Sequence, residues 1–241
     1  MQTVNYSHND KLHNNIAAHE MLPFLFKYKK VSSVLDVGCG NGSWLEAAKS
    51  LGVLEILGLD GIELEAEALK IAKSEFQKHD LRTPLDLNRK FDLVISLEVA
   101  EHLPEASADN FIETITNHGN LVLFSAAIPN QGGQFHLNEQ WPIYWANKFK
   151  KHGYLAYDII RPEFWNNEKL FSWYKQNTII YAKADILNAD LFKATDSVLS
   201  LVHPDIYRKK TYSAKFLKDK HDVFNLLKED FKVYIKRLFG K

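Results

Sequence analysis

The sequence predicts an α/β protein built on a mostly parallel sheet with helices on both faces. Three observations carry that prediction. First, Val34-Leu35-Asp36-Val37 runs into a loop with glycine at 38, 40 and 42, and then into Trp44-Leu45-Glu46-Ala47-Ala48-Lys49, which reads as a helix. Second, apolar runs of strand length alternate along the chain with segments of helical periodicity. Third, acids stand at or just after the ends of those runs (Asp36, Asp60, Glu98), at the carboxyl edge where α/β sheets gather ligands. At 241 residues, with 46% hydrophobic and 25% charged residues, the chain is sized for one such domain with something appended.

The elements follow in order. Residues 1–33 form an N-terminal helical cap, with a helix over about 11–28 that offers Leu12, Ile16, Met21, Leu22 and Leu25 to the body. Pro23 would kink or interrupt it. His8, His13 and His19 lie in this cap and read as part of a cover over the sheet edge. After the glycine loop comes a second strand, Ile56-Leu57-Gly58-Leu59-Asp60, then a helix over about 63–73 and a short strand near Phe76. The fourth strand is Phe91-Asp92-Leu93-Val94-Ile95-Ser96-Leu97. A helix over about 105–116 leads to a fifth strand, Leu121-Val122-Leu123-Phe124-Ser125. A polar loop over 129–140 precedes a helix over about 141–151, and apolar segments over about 155–160 and 178–182 form a closing hairpin. The central domain is therefore 34–183, and 184–241 is a basic helical extension. No internal repeat or low-complexity tract is visible.

Composition narrows the classes. No run of 18 apolar residues suggests a membrane span, the first ten residues are polar, and the lone cysteine, Cys39, suits a reducing cytoplasm. The net charge of zero hides an asymmetry: from Asp205 to Lys241 there are eleven Lys/Arg against five Asp/Glu. A slightly acidic body argues against a dedicated nucleic-acid binder. In the tail, Phe224, Leu227, Phe231, Tyr234 or Ile235, and Leu238 recur at helical spacing among lysines. Such a helix can lie on an anionic membrane, on the oppositely charged body, or on a protein partner.

The glycine spacing is G-x-G-x-G. It matches neither the dinucleotide fingerprint nor the Walker loop. The form acid-x-G-x-G-x-G resembles the first motif of class I, Rossmann-like, S-adenosylmethionine (SAM) dependent methyltransferases. That resemblance implies a seven-stranded sheet whose last strand enters antiparallel, SAM as cofactor, and S-adenosylhomocysteine as product. It assigns Asp36, with Gly38, Cys39, Gly40 and Gly42, to the loop that holds the methionine end. At the end of the second strand, the two oxygens of Asp60 match the two hydroxyls of a ribose, and Gly61 leaves room for adenine. Asp80 and Leu81 fall where the family receives the adenine, and Leu97 ends the fourth strand beside the cofactor. As bare strand-end acids, these residues could instead cap helices.

Past the fourth strand stands Glu98-Val99-Ala100-Glu101-His102. If this begins a helical turn, Glu98, Glu101 and His102 share one face. Two carboxylates and an imidazole there could hold a divalent ion, with oxygen-rich ligation favouring Mg²⁺ or Mn²⁺, or His102 could act as a general base. The E-x-x-E-H pattern resembles that of small-RNA 2′-O-methyltransferases and of the O-methyltransferase of ubiquinone synthesis, which associate such residues with a metal. His136, in the loop after the fifth strand, returns to the same edge as a fourth metal ligand or as the base, and Asn138 could cap the next helix.

The run Ser125-Ala126-Ala127-Ile128-Pro129 with His136-Leu137-Asn138-Glu139-Gln140-Trp141-Pro142 and Tyr144-Trp145 resembles a methyltransferase subgroup of polysaccharide and glycosylated-metabolite synthesis. Four of the five tryptophans (Trp141, Trp145, Trp165, Trp173) fall within 33 residues, as aromatic faces for sugars or as core. The expectation is an O-methyltransferase acting on a sugar, polysaccharide or glycosylated small molecule. The alternatives are an RNA ribose or a quinone-like acceptor, or a SAM-binding partner subunit of a glycan-assembly complex.

Overall fold

The computed structural model describes residues 14–195, 198 and 200–217. They fall in two compact units divided between Leu201 and Val202. The first unit carries seven strands in one sheet: β1 (Ser33–Val37), β2 (Glu55–Asp60), β3 (Phe76–Lys78), β4 (Leu93–Leu97), β5 (Leu121–Ser125), β6 (Tyr154–Tyr157) and β7 (Ile179–Lys183). Their order is β3-β2-β1-β4-β5-β7-β6. β3 through β5 pair in parallel, while β7 runs antiparallel to both β5 and β6. The closing hairpin and its antiparallel strand are thus as expected.

Period-two alternation makes this a three-layer structure. Val34, Leu93, Ile95, Leu123 and Ile180 point to one face, under α1 (Ile16–Phe26), α2 (Ser43–Ser50) and α5 (Ile160–Phe164). Leu35, Val37, Val94, Val122, Phe124 and Tyr181 point to the other, under α3 (Ala108–His118) and α4 (Pro142–Lys151). α3 buries Ala108, Phe111, Ile112 and Ile115, a helical stripe in which each large side chain contributes about 1.5–3 kcal/mol by leaving water. α1 runs through Pro23 to Phe26 and buries Ala17, Ala18, Met21, Leu22 and Leu25. The first unit extends past residue 183. Thr195 donates its amide to Ala156 and bridges β6, and Val198 is buried in the core.

One expected helix does not form. Residues 63–73 hold two single 3₁₀ turns, Ala66–Ala68 and Lys73–Glu75. The segment has helical propensity but buries no face, and a short helix without tertiary support is marginal. Tertiary bonds win instead: Lys70 donates its amide to the Asn41 carbonyl at 2.8 Å, and Ile71 packs against Gly42.

The second unit shows α7 (Pro204–Leu217), with Arg208 3.4 Å from Asp205. The amphipathic stretch 222–239, His8 and His13 lie outside the described residues. Among those described, no helix is long and apolar enough to cross a membrane. β1 neighbours β2 on one side and β4 on the other: Asp36 stands level with Gly58 and Ile95. Connections leave this point in opposite directions, so a crevice opens at its carboxyl end.

Candidate active site

The glycine loop fills that crevice. Gly38 and Cys39 donate their amides to Leu59, tying the loop to the end of β2. Gly38 has φ +89°, and a Cβ there would overlap the Val99 methyls. Val99 therefore locks the loop after β1 against the turn after β4. The N-terminus of α2 opens directly from this loop with its positive dipole end, its first amide, that of Ser43, donating to Asn41 Oδ1 at 3.2 Å. Asp36 is buried beside it, and burial together with the nearby Asp60 carboxylate raises its pKa to about 8. The Cys39 thiol turns inward against Gly58 and Leu45. Burial, with Asp36 and Asp60 nearby, pushes that thiol well up, so it is a packed side chain and only the Cys39 backbone faces the loop.

Asp60 spans the loop: Oδ2 accepts the Gly40 amide and Oδ1 the Ile62 amide, both at 2.8 Å. Each oxygen keeps acceptor capacity for a further donor. Space beside Gly61 is open, the nearest atom to an added Cβ being the His79 carbonyl at 3.8 Å. Asp80 is half-exposed and gripped by Arg82 through Nε at 2.8 Å and Nη2 at 2.6 Å. The Arg82 bond, opposed by slight burial, lowers its pKa to about 2. An adenine amine would share Asp80 with that guanidinium. Leu81 is buried, and Leu97 packs half-buried on the α1 face of the sheet.

After β4 the backbone does not enter a helix at once. Glu98 has φ +56°, in the left-handed region, and the 3₁₀ turn begins only at Ala100. The carboxylate of Glu98 is not one of the cluster that Glu101 and His102 form, and is committed to other partners. It accepts the side-chain amides of Asn177 at 3.0 Å and Gln131 at 3.1 Å, while its own amide donates to Ser125. Burial raises its pKa against these bonds. Asn177 belongs to α6 (Ser172–Asn177), so the network joins three chain segments.

Glu101 is fully buried, and both carboxylate oxygens lack a hydrogen-bond partner among the described residues. Burial first, and the Glu98 charge second, push its pKa well up. Its backbone carbonyl accepts the amides of Leu137 and Asn138, which seats the loop after β5 on the turn after β4. That contact brings His136 edge-on to His102, with ring centroids 4.9 Å apart. Glu101, His102 and His136 each offer a ligand atom, all within 4.8 Å of one another.

The His136 loop is held from within by Glu139. Its Oε2 accepts the Asn130 amide at 2.7 Å, and Oε1 accepts the Gly132 amide at 2.7 Å and meets His136 Nδ1 at 2.8 Å. These bonds outweigh its burial and lower its pKa. Gly133 lies under the imidazole, where a Cβ would overlap Nε2 and Cε1. Asn130 and Phe135 both have positive φ, so the loop follows a specific path. Asn138 is buried and accepts Gln140 Nε2; it makes no side-chain cap on α4.

The aromatic residues divide. Trp145 and Phe164 are core, Trp165 is half-buried, and Phe171 stacks on Trp173 at 4.3 Å. Trp44, after the glycine loop, meets Tyr174 of α6 edge-on. Trp141, Phe135, Leu137 and Ile143 remain exposed around His136 in sequence. Sequence reasoning missed Val99, Gln131, Glu139 and Asn177 as parts of the site. Glu139 stood inside the recognised run and Gln131 in the polar loop over 129–140, but their partners lie across loops that no periodicity links.

Comparisons with known proteins give the family and the fold. A family model described as a methyltransferase domain matches residues 9–179. Ribosomal protein L11 methyltransferase of Thermotoga petrophila is 28% identical over 113 residues, 44% of this chain and 41% of that protein. Ubiquinone biosynthesis O-methyltransferase of Colwellia psychrerythraea is 31% identical over 107 residues, 38% of this chain and 40% of that protein. The matches thus span about two fifths of the length of these relatives. The SAM-bound structure of CalS10, an amino pentose methyltransferase of Micromonospora echinaspora, has 15% identity and a TM-score of 0.52, covering 70% of this chain and 90% of that one. It shares the fold. By family and by fold, this chain belongs to the methyltransferase domain family, as a class I, SAM-dependent member.

Proposed function

We propose that the domain transfers the methyl group of SAM to a hydroxyl of a sugar, polysaccharide or glycosylated small molecule, with a divalent cation at Glu101, His102 and His136. The observation that carries the metal and the hydroxyl together is Glu101: a fully buried carboxylate, with no hydrogen-bond partner for either oxygen among the described residues, beside two imidazoles. Such a group calls for a cation or a proton donor. With two imidazoles to one carboxylate, the trio is less oxygen-rich than the sequence set that includes Glu98. Mn²⁺ then fits better than Mg²⁺. When bound, the cation would acidify the acceptor hydroxyl.

The chain's own residues do the rest. The glycine loop and Asp60 orient SAM so that its methyl faces the Glu101–His136 edge. The acceptor oxygen attacks the methyl in line, the S–CH₃ bond breaks as O–CH₃ forms, and S-adenosylhomocysteine leaves. With the cation held by the trio, the acidified hydroxyl would release its proton to water; without a cation, the free lone pair of His136 takes it. Because the donor is already activated, alignment and one proton transfer suffice. The name of the Colwellia relative supports O-methylation, and exposed Trp141 near His136 offers an apolar face of the kind that stacks on sugars. The same relative favours a quinol as second acceptor class.

The test is transfer of labelled methyl from SAM to a panel of sugars, nucleotide sugars, quinols and RNA ends, run after chelation and with Mg²⁺ or Mn²⁺ restored. Turnover on sugars that returns with Mn²⁺ supports the proposal. Full turnover without metal removes the cation and leaves His136 as base.

A further inference from the structure

We propose that Glu139 is a positioning residue that fixes which nitrogen of His136 works: Glu139 holds Nδ1, and Nε2 is the nitrogen turned to the acceptor. The inference rests on the reading of His136 as the acting imidazole and deepens it.

The geometry leaves Glu139 one role. Two backbone amides and one ring nitrogen converge on its two oxygens, at 2.7, 2.7 and 2.8 Å. An amide N–H can only donate, so Glu139 is an acceptor throughout this cluster. Nδ1 of His136 must then carry the hydrogen of the third bond, and the lone pair of the neutral ring lies on Nε2. This is the less common tautomer of a free imidazole in water, so the contact selects it. The same carboxylate closes the loop on itself from residue 130 to 139, so ring position and ring tautomer depend on one group. Gly133 completes the seat: without a side chain it lets the Nε2–Cε1 edge lie over its backbone. Such a partner for a working histidine typically matters 10- to 100-fold.

The experiment is long-range ¹H–¹⁵N correlation of imidazole-labelled, metal-free protein at a pH where free imidazole is neutral, with the His136 signals identified by their loss in His136→Asn. The expected result is an Nδ1–H, Nε2-unprotonated ring in the wild type. In Glu139→Gln, which has one acceptor oxygen for three donors, the ring shifts to the Nε2–H form or a mixture. Glu139→Asp retains the charge and recovers part of the wild-type signature. Activity should follow the tautomer, with kcat falling roughly 10- to 100-fold in Glu139→Gln while SAM affinity is retained. An Nε2–H ring in the wild type overturns the proposal even if no variant folds. An Nδ1–H ring that persists unchanged in Glu139→Gln overturns it too. If the wild type has the Nδ1–H ring but methylates no hydroxyl in the panel, the dyad stands and the functional reading falls.

Discussion

Asn177 donates its side-chain amide to the Glu98 carboxylate at 3.0 Å, joining the last helix before β7 to the turn after β4. Gln131 completes the group by donating to the other oxygen of Glu98 and accepting from Asn177 and Gln176. Glu98 was expected on the Glu101–His102 face. Its amide partners instead explain how a half-buried, left-handed glutamate is tolerated.

The cost of breaking that group follows from its burial. Asn177→Ala leaves a Glu98 oxygen with one donor fewer, and about 1–3 kcal/mol of unfolding free energy should be lost. Asn177→Asp puts a second carboxyl against Glu98. One of the two would then have to stay protonated, so the variant should be far less stable at pH 8 than at pH 5. Urea unfolding at both values checks this. Equal losses at the two pH values would mean that the Asn177 site reaches water.

Asp36 gives the SAM-free protein a pH dependence of known sign. Its carboxyl ordinarily titrates near 3.8, and the fold holds it near 8 through burial and Asp60. Below about pH 4 both folded and unfolded chains keep the proton. Between about 4 and 8 the unfolded chain gives it up first, so this contribution to stability falls as pH rises, and it changes no further above about 8. Asp36→Asn should lack that slope and exceed the wild type in urea midpoint at pH 8. A wild type whose difference from Asp36→Asn is constant from pH 4 to 8 would contradict the assignment.

Gly133→Ala separates stability from chemistry. The added Cβ overlaps Nε2, Cε1 and Cδ2 of the His136 ring, so the imidazole must leave its seat and loosen its bond to Glu139. The unfolding free energy should fall by no more than about 1 kcal/mol, the worth of that one hydrogen bond. The methylation rate should fall by at least about tenfold, since a catalytic group displaced by an ångström loses alignment. Normal turnover in this variant would exclude His136 as the base.

The parts of the fold that were legible are those with a one-dimensional signal. β-branched runs ending in acids marked β1, β2 and β4, and the glycine spacing marked the crevice between them. The helix expected over 63–73 was misread because propensity says nothing of Asn41, whose carbonyl draws Lys70 into the glycine loop instead. At Glu98 the misreading is of the same kind: helical spacing assumed a right-handed turn, but φ is +56°. Glu139 stands three residues from His136, yet in a loop of mixed handedness that spacing implies no contact.

Trp141 and Trp145 are four residues apart at the start of α4, and their substitution should have opposite consequences. Trp145 is 2% exposed and packs on Phe124 in the core, so Trp145→Ala opens a cavity and should cost about 3–5 kcal/mol. Trp141 is 38% exposed, just before the helix, five residues past His136. Its removal leaves no cavity, and unfolding should stay within about 1 kcal/mol of the wild type. If its ring lies along the acceptor, Trp141→Ala should raise KM for a sugar acceptor while SAM affinity stays constant. Loss of stacking worth about 0.5–1.5 kcal/mol corresponds to a rise of roughly 2- to 13-fold. An unchanged KM across the acceptor panel would move the sugar-facing role away from Trp141, to the stacked Phe171–Trp173 pair.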